Sequence, residues 1–186
     1  MPIIDLFAGG KFKETIQQFC DTMQLQAREL DDEHALLVFD MDSGRQQYLY
    51  LERMDDLVEL SVQSMMIFDG PETLPHELSS MLLQRNTENV YGCWCIEETT
   101  DGLVYTCMHT VETARLDLEV FKTLAGELVS EVEEVEAILL ELGKNGGLEE
   151  DEEDDDWDEE EDGEWLEEDD EEEGMDGTGG GVDGKD

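Results

Sequence analysis

Three of the four cysteines fall inside VYGCWCIEETTDGLVYTC, Val90 to Cys107, two of them as Cys93-Trp94-Cys95. Thiols this close are the raw material of a metal site or a redox pair. Residues two apart in a strand point to the same side, so Cys93 and Cys95 could both touch one ion. A zinc site, however, wants four nitrogen or sulfur ligands, usually from two closely spaced pairs. Only Cys107 and His109 are in company here, with no second pair. A redox couple more often takes the form Cys-x-x-Cys at a helix start, where the thiolate is stabilised. The register of the surrounding strands matters. A two-residue Asp101-Gly102 turn pairs Thr100 with Leu103 and Ile96 with Cys107, turning Cys107 away from Cys93 and Cys95. A loop one residue longer or shorter sets Cys95 opposite Cys107 instead. The expectation is small, half-buried strand residues, since free cysteine behaves as a small hydrophobe. Neither a metal nor a cofactor is called for.

Other chemistry is equally thin. His34, His76 and His109 are scattered over a loop, a helix and a strand, without a serine, cysteine or carboxylate in a catalytic arrangement. FAGGKFKE has glycines before a helix but lacks the spacing and Lys-Ser/Thr ending of a phosphate loop. A general acid needs burial or a close partner to shift its pKa, and no carboxylate is singled out. No catalytic residues are assigned, and an enzyme is not expected. Asp158–Asp169 places oxygen ligands and Gly163 as a calcium loop would, but with Glu160 at the third position and Asp169 at the last. It also lacks flanking amphipathic helices, and in so acidic a tract such a match arises by chance. Trp157 and Trp165 within the acid run are candidates for docking on a partner, as acidic-aromatic segments can.

Charge divides the chain. Glu149 to Asp186 holds 24 acidic residues and one lysine; Met1–Leu148 holds 29 acidic and nine basic, within a formal net charge of −43 for the 186 residues. The tail has too few large apolar groups to offset an ordering cost of roughly 1–2 kcal/mol per residue, so 149–186 is expected to be disordered and 1–148 to fold. Phosphate backbones and anionic lipid would repel both parts, which argues against nucleic-acid or membrane binding; a basic protein partner, or simple colloidal solubility, fits the sign. No apolar run reaches the roughly 18 residues of a spanning helix. No secretory leader is evident at the N-terminus, and the cysteine usage suits a reducing cytoplasm.

The elements follow from periodicity. Phe12, Ile16, Phe19, Cys20 and Met23 recur at helical spacing after Gly9-Gly10. HALLVFDM, a turn at Asp42–Gly44 and RQQYLYLERM read as two strands. After Asp55-Asp56, LVELSVQSMMIF sets Val58, Leu60 and Val62 against Glu59, Ser61 and Gln63, a half-buried third strand. A helix from about Leu74, with Pro75 in its first turn, runs through Leu78, Met81 and Leu82. The cysteine hairpin follows. Leu116–Leu142 closes the chain as a long helix, capped by Asp117 and ended by Gly143. The order α-β-β-β-α-β-β-α predicts an α+β fold with an antiparallel sheet. Met65-Met66 straddles both faces of its strand, and methionine suits adaptable apolar contacts. Met65, Met66, Trp94 and the Phe12/Ile16 helix are therefore the client-binding candidates.

This element order resembles the YbjN-like and type III secretion chaperone-like group, the Tir chaperone-like fold. LLQRNTENVYGCWCIEETTDGLVYTCMHT, with a glycine before a strand and then an Asp-Gly hairpin, is similar to it. So is the closing helix LDLEVFKTLAGELVSEVEEVEAILLEL. The likeness spans Lys11–Leu142. It implies a non-catalytic, acidic domain, often a homodimer through the sheet or second helix, whose apolar patches hold an extended client segment as a chaperone or adaptor. The alternative is an acidic regulator that captures a basic partner through Asp151–Glu173, or mimics nucleic acid.

Overall fold

A computed structural model describes residues 11–144, with side chains as far as Glu141. The chain divides into two units, Met1–Glu149 and Glu150–Asp186, and the described residues lie in the first. Trp157, Trp165, the calcium-like loop and the tail expected to be disordered lie outside them.

Period-two alternation builds the centre. In β3 (Gln46–Met54) and β4 (Leu57–Phe68), Leu49, Leu51, Val58, Leu60 and Val62 are buried while their neighbours point the other way. β2 (His34–Asp40) contributes Ala35 and Leu37, and β6 (Gly102–Glu112) contributes Tyr105 and Cys107. Pairing aligns them: Leu37 lies opposite Leu49, Leu49 opposite Val62, Val62 opposite Cys107, and Cys107 opposite Trp94 of β5 (Cys93–Thr99). With β1 (Gln26–Leu30) at one edge, the antiparallel sheet runs β1-β2-β3-β4-β6-β5. Three helices cover this row: α1 (Phe12–Met23), α2 (His76–Arg85) and α3 (Leu118–Lys144). Their apolar stripes join one buried cluster with the strands, and Phe19 of α1 stacks on Phe121 of α3 with centroids 5.1 Å apart.

Four details depart from expectation. β1 is an additional strand; QAREL has no apolar alternation, is mostly exposed, and pairs only with β2 across an irregularity between Ala27 and Glu29. α2 starts at His76, with Pro75 as its N-cap. Asp117 does cap α3, its Oδ1 accepting from the amides of Glu119 and Val120 at 3.0 and 2.9 Å, but the helix continues through Gly143 to Lys144. The hairpin turn is Thr100-Asp101, closed by Thr99 opposite Gly102, so Trp94 rather than Ile96 meets Cys107. Gly102 belongs in the strand because a Cβ there would stand 2.5 Å from the Phe68 carbonyl oxygen. The Thr99 hydroxyl secures the turn instead, donating to the Gly102 carbonyl at 2.8 Å.

A polar knot ties α2, β5 and α3 together. Arg85 forks onto Glu131, with Nε and Nη2 donating at 2.7 and 2.8 Å. The Trp94 indole donates to the same carboxylate at 2.8 Å, and Asn86 brackets the Trp94 backbone. Gly92 leads into it at φ +80°, where a Cβ would lie 2.5 Å from Leu128 Cδ2 and 2.8 Å from Cys107 Sγ.

Two outcomes follow. Gly92→Ala adds left-handed strain and overpacking, so chemical denaturation should show a loss of roughly 2–4 kcal/mol. The Arg85 fork, then the Trp94 indole, hold the Glu131 carboxyl down at about 2, below its ordinary 4.5. The stabilisation is thus full above pH 4.5 and lost as pH falls towards 2. Melting curves of the protein and Glu131→Gln should differ at neutral pH and converge across that window.

Candidate functional site

Alternate residues that do not face the helices form the outer side of the sheet. Tyr50 and Met54 of β3 stand there with Leu57, Met65 and Ile67 of β4, all exposed, and Met65 and Ile67 the most so at 58% and 55%. Large apolar groups exposed together on one face mark an interaction surface far more often than scattered ones do. Polar residues separate them. Glu52 lies opposite Glu59, and Tyr50 opposite Ser61. Further along, the Glu97 carboxylate of β5 accepts from Thr106 Oγ1 at 2.9 Å and from Gln63 Nε2 at 3.1 Å. Partial burial, then the neighbouring Glu52 and Glu97, push the Glu59 carboxyl above its ordinary value.

Met65 owes its position to an irregularity in β4. Gln63 pairs with Thr106 and Ile67 with Val104, so three residues of β4 oppose Tyr105 alone. A bulge of this kind leaves amides without ladder partners. The Met65 amide is satisfied from across the core, donating to Glu136 Oε1 of α3 at 2.8 Å. Gln47 Nε2 donates to the other oxygen at 2.7 Å, and Arg45 holds the adjoining Glu133 at 2.7 Å. Glu136 is buried, which fits a carboxylate positioning backbone and not one offered to solvent. Sequence pattern gives no hint of it, because it occupies an apolar position of α3.

The five client-binding candidates separate. Met65 is exposed and Met66 half-buried against the core. Phe12 and Ile16 have no exposed surface and Trp94 only 4%, so these three serve the interior. Tyr50, Met54, Leu57 and Ile67 were not singled out by type, although the alternation of RQQYLYLERM and LVELSVQSMMIF already groups them opposite the buried positions.

Nor do the cysteines converge. Cys93 and Cys95 pair with Met108 and Thr106 on the outer side, whereas Cys107 is buried beneath the helices. The thiol of Cys95 donates to the Thr106 carbonyl at 3.4 Å. Burial pushes Cys107 up to about 12 and Cys20 and Cys95 to about 11, so all three stay protonated near neutrality. Among the described residues, no group of three His, Cys, Asp or Glu side chains could hold a metal ion. An apolar groove between α2 and β5 is lined by Ser79, Leu82, Leu83, Trp94, Cys95, Ile96 and Tyr105, with the Ser79 and Tyr105 hydroxyls bonded to each other at 2.6 Å.

No family model and no curated protein matches the chain. Among solved structures it is similar to YbjN from E. coli, with 13% identity, a TM-score of 0.52, and coverage of 75% of this chain and 94% of that one. It is also similar to a chain of the HopA1–SchA chaperone–effector complex, at 13% identity and TM-score 0.47 over 72% and 95% of the two chains. A chain of the ExsC–ExsE complex gives 18% identity and TM-score 0.47 over 66% and 89%. The likeness to YbjN shows a shared fold, the α+β arrangement that the element order implied. At that identity it reaches no further.

The thiols provide a check on the two faces. Iodoacetamide at mildly alkaline pH should label Cys93 rapidly in the native protein, with Cys20 and Cys107 modified only on unfolding. Peptide mass mapping over time reads the order directly.

Proposed function

We propose that the folded unit is a non-catalytic polypeptide-binding module, chaperone-like or adaptor-like, that holds a client segment against the open face of its sheet. One observation carries this reading: Tyr50, Met54, Leu57, Met65 and Ile67 are exposed together on a side that none of the three helices covers. Met65 and Ile67 stand closest to a client role, with Met66 as their half-buried support. Phe12, Ile16 and Trp94 act indirectly, by holding the sheet.

The domain works in a reducing compartment, the cytoplasm, which fits four free cysteines. No described helix is long and apolar enough to cross a membrane. The homodimer implied by the family resemblance we assign to α2, where Leu83 is largely exposed beside Ile96. A second reading rests on the charge of Glu149–Asp186, in which Trp157, Trp165 and the surrounding carboxylates capture a basic protein.

Affinity capture from native lysate separates the two. Three baits suffice: the full chain, a chain ending at Leu148, and Met65→Asp/Ile67→Asp. The face reading predicts the same partners for the first two in moderate salt and their loss with the third. Partners lost on truncation, or released by moderate salt, would transfer the function to the tail.

A further inference from the structure

The outer face carries a ranked pattern of apolar and acidic residues, and the inference drawn from it rests on the reading just given. At one end Met54 lies opposite Leu57. The next rank reads His34, Glu52, Glu59, Thr110, and the one after it Leu36, Tyr50, Ser61, Met108. Past Gln63 and the buried Thr106 come the exposed Met65 and Ile67, with Val104 opposite Ile67 buried. Successive ranks on one face are about 6.6–6.8 Å apart. Apolar, anionic, apolar and polar ranks thus follow one another along the strands.

Glu52 and Glu59 are direct cross-strand neighbours, and like charges so placed weaken a sheet. Nothing within the described fold relieves them. No ion pair among the described residues involves Glu52, Glu59 or Glu97. Arg28 lies over the Tyr48 ring at 4.9 Å, and His34, opposite Glu52, faces Asp31 at 3.5 Å. A second copy would set the same carboxylates against themselves. A segment as acidic as 149–186, with 24 acidic residues and one lysine, has no charge to complement them.

We propose that the outer sheet face binds cationic amphipathic polypeptide segments, Glu52 and Glu59 together taking a lysine or arginine flanked by apolar residues. The flanking groups rest on Met54 and Leu57 to one side and on Tyr50 and Met108 to the other. Met65 and Ile67 extend the apolar contact beyond them.

Fluorescence anisotropy on the full chain tests this with three labelled synthetic peptides of equal length and apolar pattern, their intervening residues being Lys, Gln or Glu. The lysine peptide should bind about tenfold more tightly than the glutamine peptide, and the glutamate peptide least. Glu52→Gln/Glu59→Gln should abolish that preference while leaving thermal stability unchanged or raised, since a repulsion is removed. Met65→Ser/Ile67→Ser should weaken the lysine and glutamine peptides alike. Equal binding of those two peptides, both sensitive to Met65→Ser/Ile67→Ser, would overturn the charge preference and leave the docking face standing. A lysine preference that survives Glu52→Gln/Glu59→Gln would also overturn it and assign the attraction elsewhere in the acidic chain. Binding of no peptide, or binding indifferent to both variants, would overturn the docking face as well.

Discussion

Leu37, Leu49, Val62, Cys107 and Trp94 form one unbroken apolar row across five strands, and three helices bury it from a single side. Each fully buried aliphatic or aromatic side chain contributes about 1.5–3 kcal/mol, so this half of the sheet supplies most of the drive to fold. Period-two geometry then dictates the rest. A residue that goes into the core sends its strand neighbours to the other side; Val38, Val104 and Thr106 are buried there as well, whereas Tyr50, Met54, Leu57, Met65 and Ile67 are exposed. The outer face is the necessary complement of the core.

Polar groups make that division durable. Arg85, Glu131, Trp94 and Asn86 fasten the second helix and the edge strand to α3. Glu136 reaches from α3 to the bulge of β4 and holds the Met65 amide, coupling the buried side of the molecule to the most exposed methionine on the other. A charge buried with hydrogen-bonding partners on both oxygens is costly to disrupt, so the bulge is as fixed as the helix above it. Thiols and histidines, the obvious candidates for chemistry, are spread across both faces and do none of this work together.

Much of the fold was legible. The stripe of α1, the alternation and the ends of LVELSVQSMMIF, the Asp117 cap and the long closing helix follow from spacing alone. QAREL escaped because an edge strand need not alternate. The hairpin slipped because Gly102, at φ +136° and close beside Phe68, opens the returning strand and is not one of the two turn residues. Residue type did not forecast exposure. The spacing that makes Phe12 and Ile16 look like an adhesive stripe is the spacing that buries them, and Trp94 is large because it fills a core. Met65 and the alternating residues around it were visible in the pattern. Glu136 was not, since only the three-dimensional bulge creates the amide that it serves.

The central claim, that the outer side of this sheet exposes Tyr50 and Met65 while the helix side is sealed, is tested most directly by hydroxyl-radical footprinting of the full chain alone. Comparing residues of one type removes differences in intrinsic reactivity. Tyr50 should be oxidised much faster than Tyr105, and Met65 faster than Met66 or Met23. Equal protection of Tyr50 and Tyr105, together with Met65 shielded like Met66, would mean that the outer face is covered in the native protein, and the account would fail.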